Sequence, residues 1–353
     1  MAIENESTNE NQVARMNLKY KYFSADLVVL WFALLFYRTN QYYLSFLSKR
    51  TEEILLWLAV GYSVVGLAYY WLTRKANPTH AFTAIVAVER WLKGMRRHLS
   101  GFSQGVILPT QGLSKPEKTS LLFLLIKFLF LPMMLEFMVS NWSSLADRWW
   151  SYSGAKPAPW PQTFNDFVFP CMIDLFFTAE CALYAFGYAI ESPRLKNIIK
   201  SVDPTFLGWA AALACYPPFN GFLNNYVPWR TSEYPTFANA WLTLAAKTVV
   251  LVSFSIYLFA AISLGAKCSN LTNRGIVTTG AFAYIRHPAY AAKNLAWWIG
   301  ILPVFSLPAV LSMAFWSFVY FLRAVTEERH LMNDPDYRTY CQKVPYRFIP
   351  GLF

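Results

Sequence analysis

Long apolar runs are the feature that most constrains how this chain can fold. A helix that spans a bilayer needs about 20 mostly apolar residues, because the hydrocarbon core is about 30 Å thick. Runs of that length occur at residues 25–47, 54–72, 120–139, 167–190, 206–226, 240–264 and 295–322. Hydrophobic residues make up 56% of the 353 and charged residues only 14%, a composition that excludes an ordinary soluble domain. The sequence therefore predicts an all-α polytopic membrane protein.

The last apolar run is too long for one straight span and contains Pro303 and Pro308. The distribution of Lys and Arg distinguishes one long helix from a hairpin, since cytoplasmic segments are enriched in both residues. The segments predicted to lie inside are 1–24, 73–119, 191–205 and 265–293. The segments predicted to lie outside are 38–53, 140–166 and 227–239. These two sets carry 18 and 6 basic residues, respectively.

A hairpin also places the five basic residues of the tail, 323–353, on the inside. We therefore predict a helical hairpin within 290–323, about seven or eight transmembrane helices in all, and cytoplasmic amino and carboxyl termini. The membrane is either the bacterial inner membrane, which we favour, or the endoplasmic reticulum. The hairpin would bring the motif before it and the motif after it to one cytoplasmic face.

Two segments allow more than one interpretation. Residues 206–226 contain Pro217 and Pro218, so that this run either spans or re-enters. Residues 79–100 mix apolar and basic positions, which is typical of an interfacial helix but also fits an ordinary cytoplasmic loop. The polar first 24 residues lack the features of a signal peptide. The five cysteines form no CxxC pair, and we expect neither a disulfide framework nor a metal site.

The stretch Y-I-R-H-P-A-Y, residues 284–290, marks the start of a helix. Pro288 suits the first helical turn and keeps His287 out of helical geometry. Unsatisfied N–H groups at such a start, together with Arg286, favour a carboxylate or a phosphate. The alternative is that Arg286 and His287 only contact lipid phosphates at the interface.

The stretch F-L-R-A-V-T-E-E-R-H-L places Arg323 and Glu327 on one helix face, with Glu328 adjacent. Paired carboxylates at a membrane boundary favour a cation, unless they are only a solvated helix end paired with neighbouring arginines. A hairpin would bring this acidic pair to the anion-binding start of the preceding helix. A zwitterion with a further positive charge would suit both, and S-adenosylmethionine is such a molecule.

In residues 265–353, R-H-P-x-Y precedes the predicted hairpin, which is followed by Glu-Glu, then by Y-x-x-Y and a basic, Pro-containing tail. Together these features resemble the isoprenylcysteine carboxyl methyltransferase and phospholipid methyltransferase superfamily. The resemblance implies an integral membrane methyltransferase with S-adenosylmethionine as cofactor. Arg323 and Glu327 would be catalytic, Arg323 lying close to the substrate. The residues implied to bind the cofactor are Arg286, His287, Tyr290, Glu327, Glu328, Tyr337, Tyr340 and Arg347. Ala281 and Ala292 depart from the Pro and Gly of many members.

These observations predict three regions: a polar cytoplasmic amino terminus (1–24), a transmembrane bundle with the substrate cavity (25–264) and a methyltransferase-like region with a cytoplasmic cofactor pocket (265–353). The expected partner is a membrane lipid or lipidated substrate and not nucleic acid. The favoured methyl acceptor is the carboxylate of an isoprenylated or lipid molecule, followed by a phospholipid amine. The alternatives are an NADPH-dependent membrane reductase of the sterol-reductase type and a non-catalytic membrane scaffold.

Overall fold

The computed structural model describes residues 2–72, 78–102, 112–153 and 158–352. The chain divides into two compact units, Met1–Pro132 and Met133–Phe353. The boundary falls at Pro132, inside one long helix. All of the predicted site residues lie in the second unit.

The first unit consists of helices joined by short connections in its described residues. Its helices are α1 (Ala2–Thr39), α2 (Gln41–Phe46), α3 (Lys49–Leu72), α4 (His80–Phe102) and the first part of α5 (Lys115–Ser153). The predicted run 25–47 is broken at Asn40, whose side chain accepts a hydrogen bond from the backbone N–H of Tyr42 and so begins α2. Residues 79–100 form helix α4 and not an irregular loop.

The second unit contains the remaining helices and two short strands. Its helices are α6 (Trp160–Thr163), α7 (Phe169–Ala189), α8 (Phe206–Leu213), α9 (Phe219–Asn224), α10 (Ala240–Leu264), α11 (Pro288–Gly300), α12 (Leu307–Leu331) and α13 (Pro335–Lys343). A π-helical turn, Phe164–Val168, joins α6 to α7. The strands β1 (Ser201–Val202) and β2 (Thr272–Asn273) pair antiparallel.

The all-α polytopic fold is confirmed. Within the described residues, six helical stretches are long and apolar enough to cross a membrane: Met16–Thr39, Lys49–Ala68, Lys115–Ser153, Trp160–Ala189, Ala240–Lys267 and Leu307–Leu331. The predicted seven or eight spans also counted the run 206–226 and the first arm of the hairpin. Neither is a long helix, because the prolines at 217 and 218 separate α8 from α9 and α11 has only 13 residues, about 20 Å of helix.

The run 206–226 nevertheless traverses the second unit. At one end Asp203, just before α8, donates its backbone N–H to the carbonyl of Leu271 over 2.8 Å. At the other end the carbonyl of Pro228 accepts a hydrogen bond from Ser312 Oγ over 2.6 Å, near the start of α12. Asp203 Oδ2 also lies 3.8 Å from Arg329 Nη2, near the end of α12. The segment therefore passes from the end of the unit where α12 finishes to the end where α12 begins, as a broken crossing of the unit.

The predicted hairpin is present as α11 and α12, joined by a short turn that contains Pro303. Near the turn, Trp298 Nε1 donates to Ser317 Oγ over 3.1 Å. At the open end, the hydroxyl of Tyr290 donates to Glu327 Oε2 over 2.8 Å. The two helices are thus antiparallel, and the R-H-P-A-Y and T-E-E-R-H-L motifs are neighbours.

The β1–β2 ribbon was not predicted, because two-residue strands are too short to show an alternating pattern. It is anchored by Asp334, whose Oδ2 accepts hydrogen bonds from Asn273 Nδ2 and Lys200 Nζ, both over 2.9 Å. Burial alone would raise the pKa of Asp334, but these two hydrogen bonds outweigh burial and the pKa is lowered. The ribbon thereby ties the segment before α8 and the segment after α10 to the start of α13.

Candidate functional site

The start of α11 has the geometry that the R-H-P sequence predicts. His287 is the residue before the helix, with φ −126° and ψ 58°, and Pro288 is the first helical residue. The carboxyl-terminal tail holds this start in place: the backbone N–H groups of Arg286 and His287 donate to the carbonyls of Tyr346 and Arg347, each over 2.9 Å. Arg286 and His287 are therefore fixed at the mouth of α11 by main-chain hydrogen bonds.

Glu328 is buried and forms the centre of an ionic cluster. Its Oε1 lies 3.0 Å from His287 Nε2, and its Oε2 accepts from Arg347 Nε over 3.0 Å and from Arg286 Nη1 over 3.3 Å. Its side chain is 4% exposed. Glu328 therefore joins α12, the start of α11 and the tail, and its carboxylate oxygens are already engaged.

Glu327, the neighbour of Glu328, is exposed and faces a cleft. Its Oε2 accepts the hydrogen bond from the hydroxyl of Tyr290. The ring of Tyr290 stacks on that of His287, with centroids 5.4 Å apart and planes 6° from parallel. The carboxylate of Glu327 is thus held at the mouth of α11 but remains accessible to a ligand.

Arg323 lies one helical turn before Glu327 and is buried. Its Nη2 donates to Asn270 Oδ1 over 2.5 Å. Its guanidinium carbon lies 5.2 Å from the ring centroid of Tyr290, 5.5 Å from that of Tyr216 and 5.9 Å from that of Tyr320. Among the described residues, no carboxylate lies within ion-pair distance of Arg323, so that its positive charge is available to an acidic ligand.

These side chains border one cleft of the second unit, which is partly open to solvent. Five of the predicted site residues line it: Arg286, His287, Tyr290, Arg323 and Glu327. Four do not: Glu328, Tyr337, Tyr340 and Arg347. The structure therefore brings all nine into one region but places only five on the wall of the cleft.

Tyr337 and Tyr340 pack beneath the cleft and not on its surface. Both are buried in a small apolar cluster with Val344. The hydroxyl of Tyr340 donates to the carbonyl of Phe282 over 2.7 Å, and burial raises the pKa of both phenols, which keeps them protonated. In this arrangement the two tyrosines attach α13 to the segment that leads into α11.

The two departures from the superfamily pattern have clear surroundings. Gly280 has a φ of +63°, which favours glycine, and an added Cβ would lie 2.3 Å from Ser263 Oγ. Ala281 donates its backbone N–H to that same Ser263 Oγ over 3.3 Å, a hydrogen bond that a proline would lack. Ala292 is 5% exposed and does not line the cleft.

The hairpin and the cleft-lining residues that it carries lie within a segment that matches a known family. Residues 263–333 match the model of the isoprenylcysteine carboxyl methyltransferase (ICMT) family. No curated protein matches the chain. The ICMT segment contains both helices of the hairpin, all five predicted residues that line the cleft, and Glu328. The match supports a membrane methyltransferase in general. Tyr337, Tyr340 and Arg347 lie beyond the matched residues.

The cleft also has walls that sequence reasoning missed. Besides the five predicted residues, it is lined by Tyr184 of α7, Asp203, Asn270 and, on α12, His330. Asp203 lies before α8 and outside the ICMT segment, whereas Asn270 and His330 lie within it. The Asp-Pro-Thr sequence at 203–205 is typical of a turn, but no pattern in the sequence points from that turn to a ligand. Part of residues 1–240, in which no motif was recognised, therefore reaches the site.

Proposed function

We propose that this chain is an S-adenosylmethionine-dependent methyltransferase whose methyl acceptor is a lipophilic, membrane-resident molecule. The observation that carries the proposal is the meeting of two motifs at one cleft. Arg286, His287 and Tyr290 approach it from the start of α11, and Arg323 and Glu327 approach it from α12. The ICMT family match over this hairpin supports the same reaction class.

The residues of the cleft suit the charges of the cofactor. Arg286 and the start of α11 favour the carboxylate of the methionine half. The exposed carboxylate of Glu327 favours its positively charged groups. The cleft also contains buried polar atoms, of Asp203 and Asn270, that have no hydrogen-bond partner among the described residues.

The favoured acceptor is a carboxylate on an isoprenylated or lipid molecule, followed by a phospholipid amine. When bound, S-adenosylmethionine supplies a methyl group to which the acceptor oxygen forms a bond as the carbon–sulfur bond breaks, leaving S-adenosylhomocysteine. Arg323 would orient and neutralise an acidic acceptor, since its guanidinium is buried among tyrosine rings and has no carboxylate of the described chain beside it. A carboxylate acceptor needs no general base, so the site has chiefly to align the reactants and exclude water.

Ligand-induced stabilisation of the purified protein tests the cofactor. S-Adenosylhomocysteine should raise the thermal midpoint, whereas NADPH, the cofactor of the reductase alternative, should not. Glu327→Gln should reduce the shift, and Asp336→Asn, an exposed carboxylate outside the cleft, should preserve it. A shift with NADPH alone would contradict the proposal in favour of a reductase, and no shift with either would favour the scaffold.

The acceptor is identified by labelling. Cells given methyl-deuterated methionine, with and without the protein, should differ in one class of labelled lipid detected by mass spectrometry. An ester-linked label that mild base releases would support a carboxylate acceptor. A base-stable label on a headgroup nitrogen would support a phospholipid amine instead, and the absence of any protein-dependent lipid label would contradict a lipid acceptor.

A further inference from the structure

Two buried polar side chains of the cleft lack hydrogen-bond partners on one side. Asp203 is 2% exposed and Asn270 is 4% exposed. Asp203 Oδ1 accepts from the backbone N–H of Thr205 over 2.9 Å and from its hydroxyl over 2.7 Å, but Oδ2 has no hydrogen-bond partner among the described residues. Asn270 Nδ2 likewise has none there. A buried polar atom of this kind is costly unless a ligand or water supplies the partner.

The ribbon fixes these two residues at the same place. The hydrogen bond from the backbone of Asp203 to that of Leu271 continues the β1–β2 pairing beyond its last paired residues. Asn270 is held by two further contacts, from its backbone N–H to the hydroxyl of Tyr188 and from Arg323 to its Oδ1. Because Arg323 can only donate, the amide oxygen must face it, and Nδ2 is left as a donor.

The residues around Asp203 leave space for its carboxylate. Among the described residues, they provide no hydrogen-bond donor to Oδ2. Gly208 lines the cleft, and a Cβ at this position would lie 2.1 Å from Oδ2. Arg329 Nη2 is 3.8 Å from Oδ2, beyond hydrogen-bond distance, and donates instead to the hydroxyl of Thr205. Between them, Asp203 and Asn270 therefore present one acceptor and one donor, with an arginine beside each.

We propose that Asp203 and Asn270 bind the ribose diol of the cofactor's adenosine half, an assignment that rests on the proposed function. One hydroxyl donates to Asp203 Oδ2 and its neighbour accepts from Asn270 Nδ2. The nearby arginines, Arg329 and Arg323, disfavour an ammonium group here and favour a neutral ligand. Hydroxyls can rotate to satisfy an acceptor and a donor, whereas the adenine edge presents its groups in one fixed plane.

The test compares ligands that differ by one group. Binding of S-adenosylhomocysteine, its 2′-deoxy and 3′-deoxy derivatives and its inosine analogue is measured by calorimetry on wild-type protein, Asp203→Asn and the control Asp336→Asn. Wild type and control should bind each deoxy derivative about tenfold or more weakly than the parent. Asp203→Asn should bind the parent about tenfold more weakly and lose the discrimination against one of the two derivatives, while its preference for adenosine over inosine is unchanged.

Three results would overturn the assignment. The first is wild-type protein that binds either deoxy derivative as tightly as the parent. The second is an Asp203→Asn variant that keeps the discrimination against both derivatives. The third is a changed adenosine-to-inosine ratio in that variant, which would assign Asp203 to the adenine edge instead. If wild-type protein binds no S-adenosylhomocysteine, the proposed function is wrong and the subsite fails with it, a result distinct from the other three.

Discussion

Adjacent glutamates at the end of α12 should respond in opposite ways to the same substitution. Glu328 is buried against three basic side chains, whereas Glu327 is exposed and its carboxylate accepts a hydrogen bond from Tyr290. Replacing each by Gln removes one negative charge at nearly constant volume. Glu328→Gln should therefore reduce the stability of the protein, and Glu327→Gln should instead reduce cofactor binding.

The magnitudes follow from burial. Breaking a buried ion pair costs about 3–5 kcal/mol, and we expect the lower value for Glu328 because Arg347 is 33% exposed and can turn to solvent. For a unit of this size, about 3 kcal/mol corresponds to a decrease of roughly 6–12 °C in the thermal midpoint. Glu327→Gln should change the unliganded midpoint little, since exposed charges contribute about 1 kcal/mol or less.

The assay is thermal unfolding of each purified variant in detergent, with and without S-adenosylhomocysteine. At a ligand concentration 100 times the dissociation constant, binding stabilises the wild type by about 2.7 kcal/mol, and a tenfold loss of affinity would halve that stabilisation. Glu327→Gln should show this halving or more at an unchanged unliganded midpoint. Asp336→Asn serves as the control for removal of an exposed carboxylate.

Two outcomes would contradict the different roles of Glu327 and Glu328. The first is a Glu328→Gln midpoint within about 2 °C of wild type, because a buried carboxylate with three basic partners could not then be structurally important. The second is an equal loss of unliganded stability in both variants, since it would mean that Glu327 is as much a part of the ionic cluster as Glu328.

Three further substitutions test the rest of the site. Arg323→Lys keeps the charge but loses the planar donor pair, and we expect turnover to fall by about tenfold or more; if Arg323→Ala leaves turnover unchanged while Glu327→Ala abolishes it, Arg323 does not orient the acceptor. Tyr340→Phe removes the hydrogen bond to Phe282 and should cost about 1 kcal/mol of stability, measured as a lowered midpoint, whereas an unchanged midpoint would show that this bond does not hold the tail. Because the pKa of Asp334 is lowered by folding, its contribution is present above the unfolded pKa of about 3.9 and is lost as the pH falls. The difference in midpoint between wild type and Asp334→Asn should therefore be largest near neutral pH and should shrink below about pH 4, and a constant difference would contradict the ion-pair account.

The hairpin was predictable because its two signals are independent of the details of packing. An apolar run with prolines inside it and basic residues on both sides favours a return to the same face. The helix start at Pro288 and the shared face of Arg323 and Glu327 are local features, set by two to four residues. From these signals alone, the sequence predicts that Arg286, His287, Tyr290 and both glutamates lie in one region.

The separate positions of Glu327 and Glu328 were not predictable from the same signals. Neighbouring residues on a helix point about 100° apart and can therefore have different surroundings. Here Glu327 lines the cleft and Glu328 does not. Which one does so depends on the tail, whose Arg347 approaches Glu328 and whose backbone binds the start of α11. Because this contact joins residues that are far apart in the sequence, no periodic pattern in the sequence predicts it. The resemblance implies that Tyr337 and Tyr340 bind the cofactor, whereas they pack beneath the cleft.

The cleft also provides an argument about orientation in the membrane. Three segments contribute side chains to the cleft: 191–205, 265–293 and 323–353. The distribution of Lys and Arg predicts that all three are cytoplasmic. The distribution of Lys and Arg indicates on which side of the membrane each segment lies, and it does not depend on which side chains are in contact. Because the three segments also meet at one cleft, the structure supports their lying on the same side of the membrane.

Cysteine labelling tests this orientation at two exposed arginines, Arg338 of α13 and Arg230 near the opposite end. In intact cells, a membrane-impermeant maleimide should label Arg230→Cys above the wild-type background and should label Arg338→Cys only after permeabilisation. Labelling of both variants in intact cells would place the two ends of the unit on one side. The broken crossing between α8 and α9 would then not traverse the membrane, and a cytoplasmic cleft would be untenable.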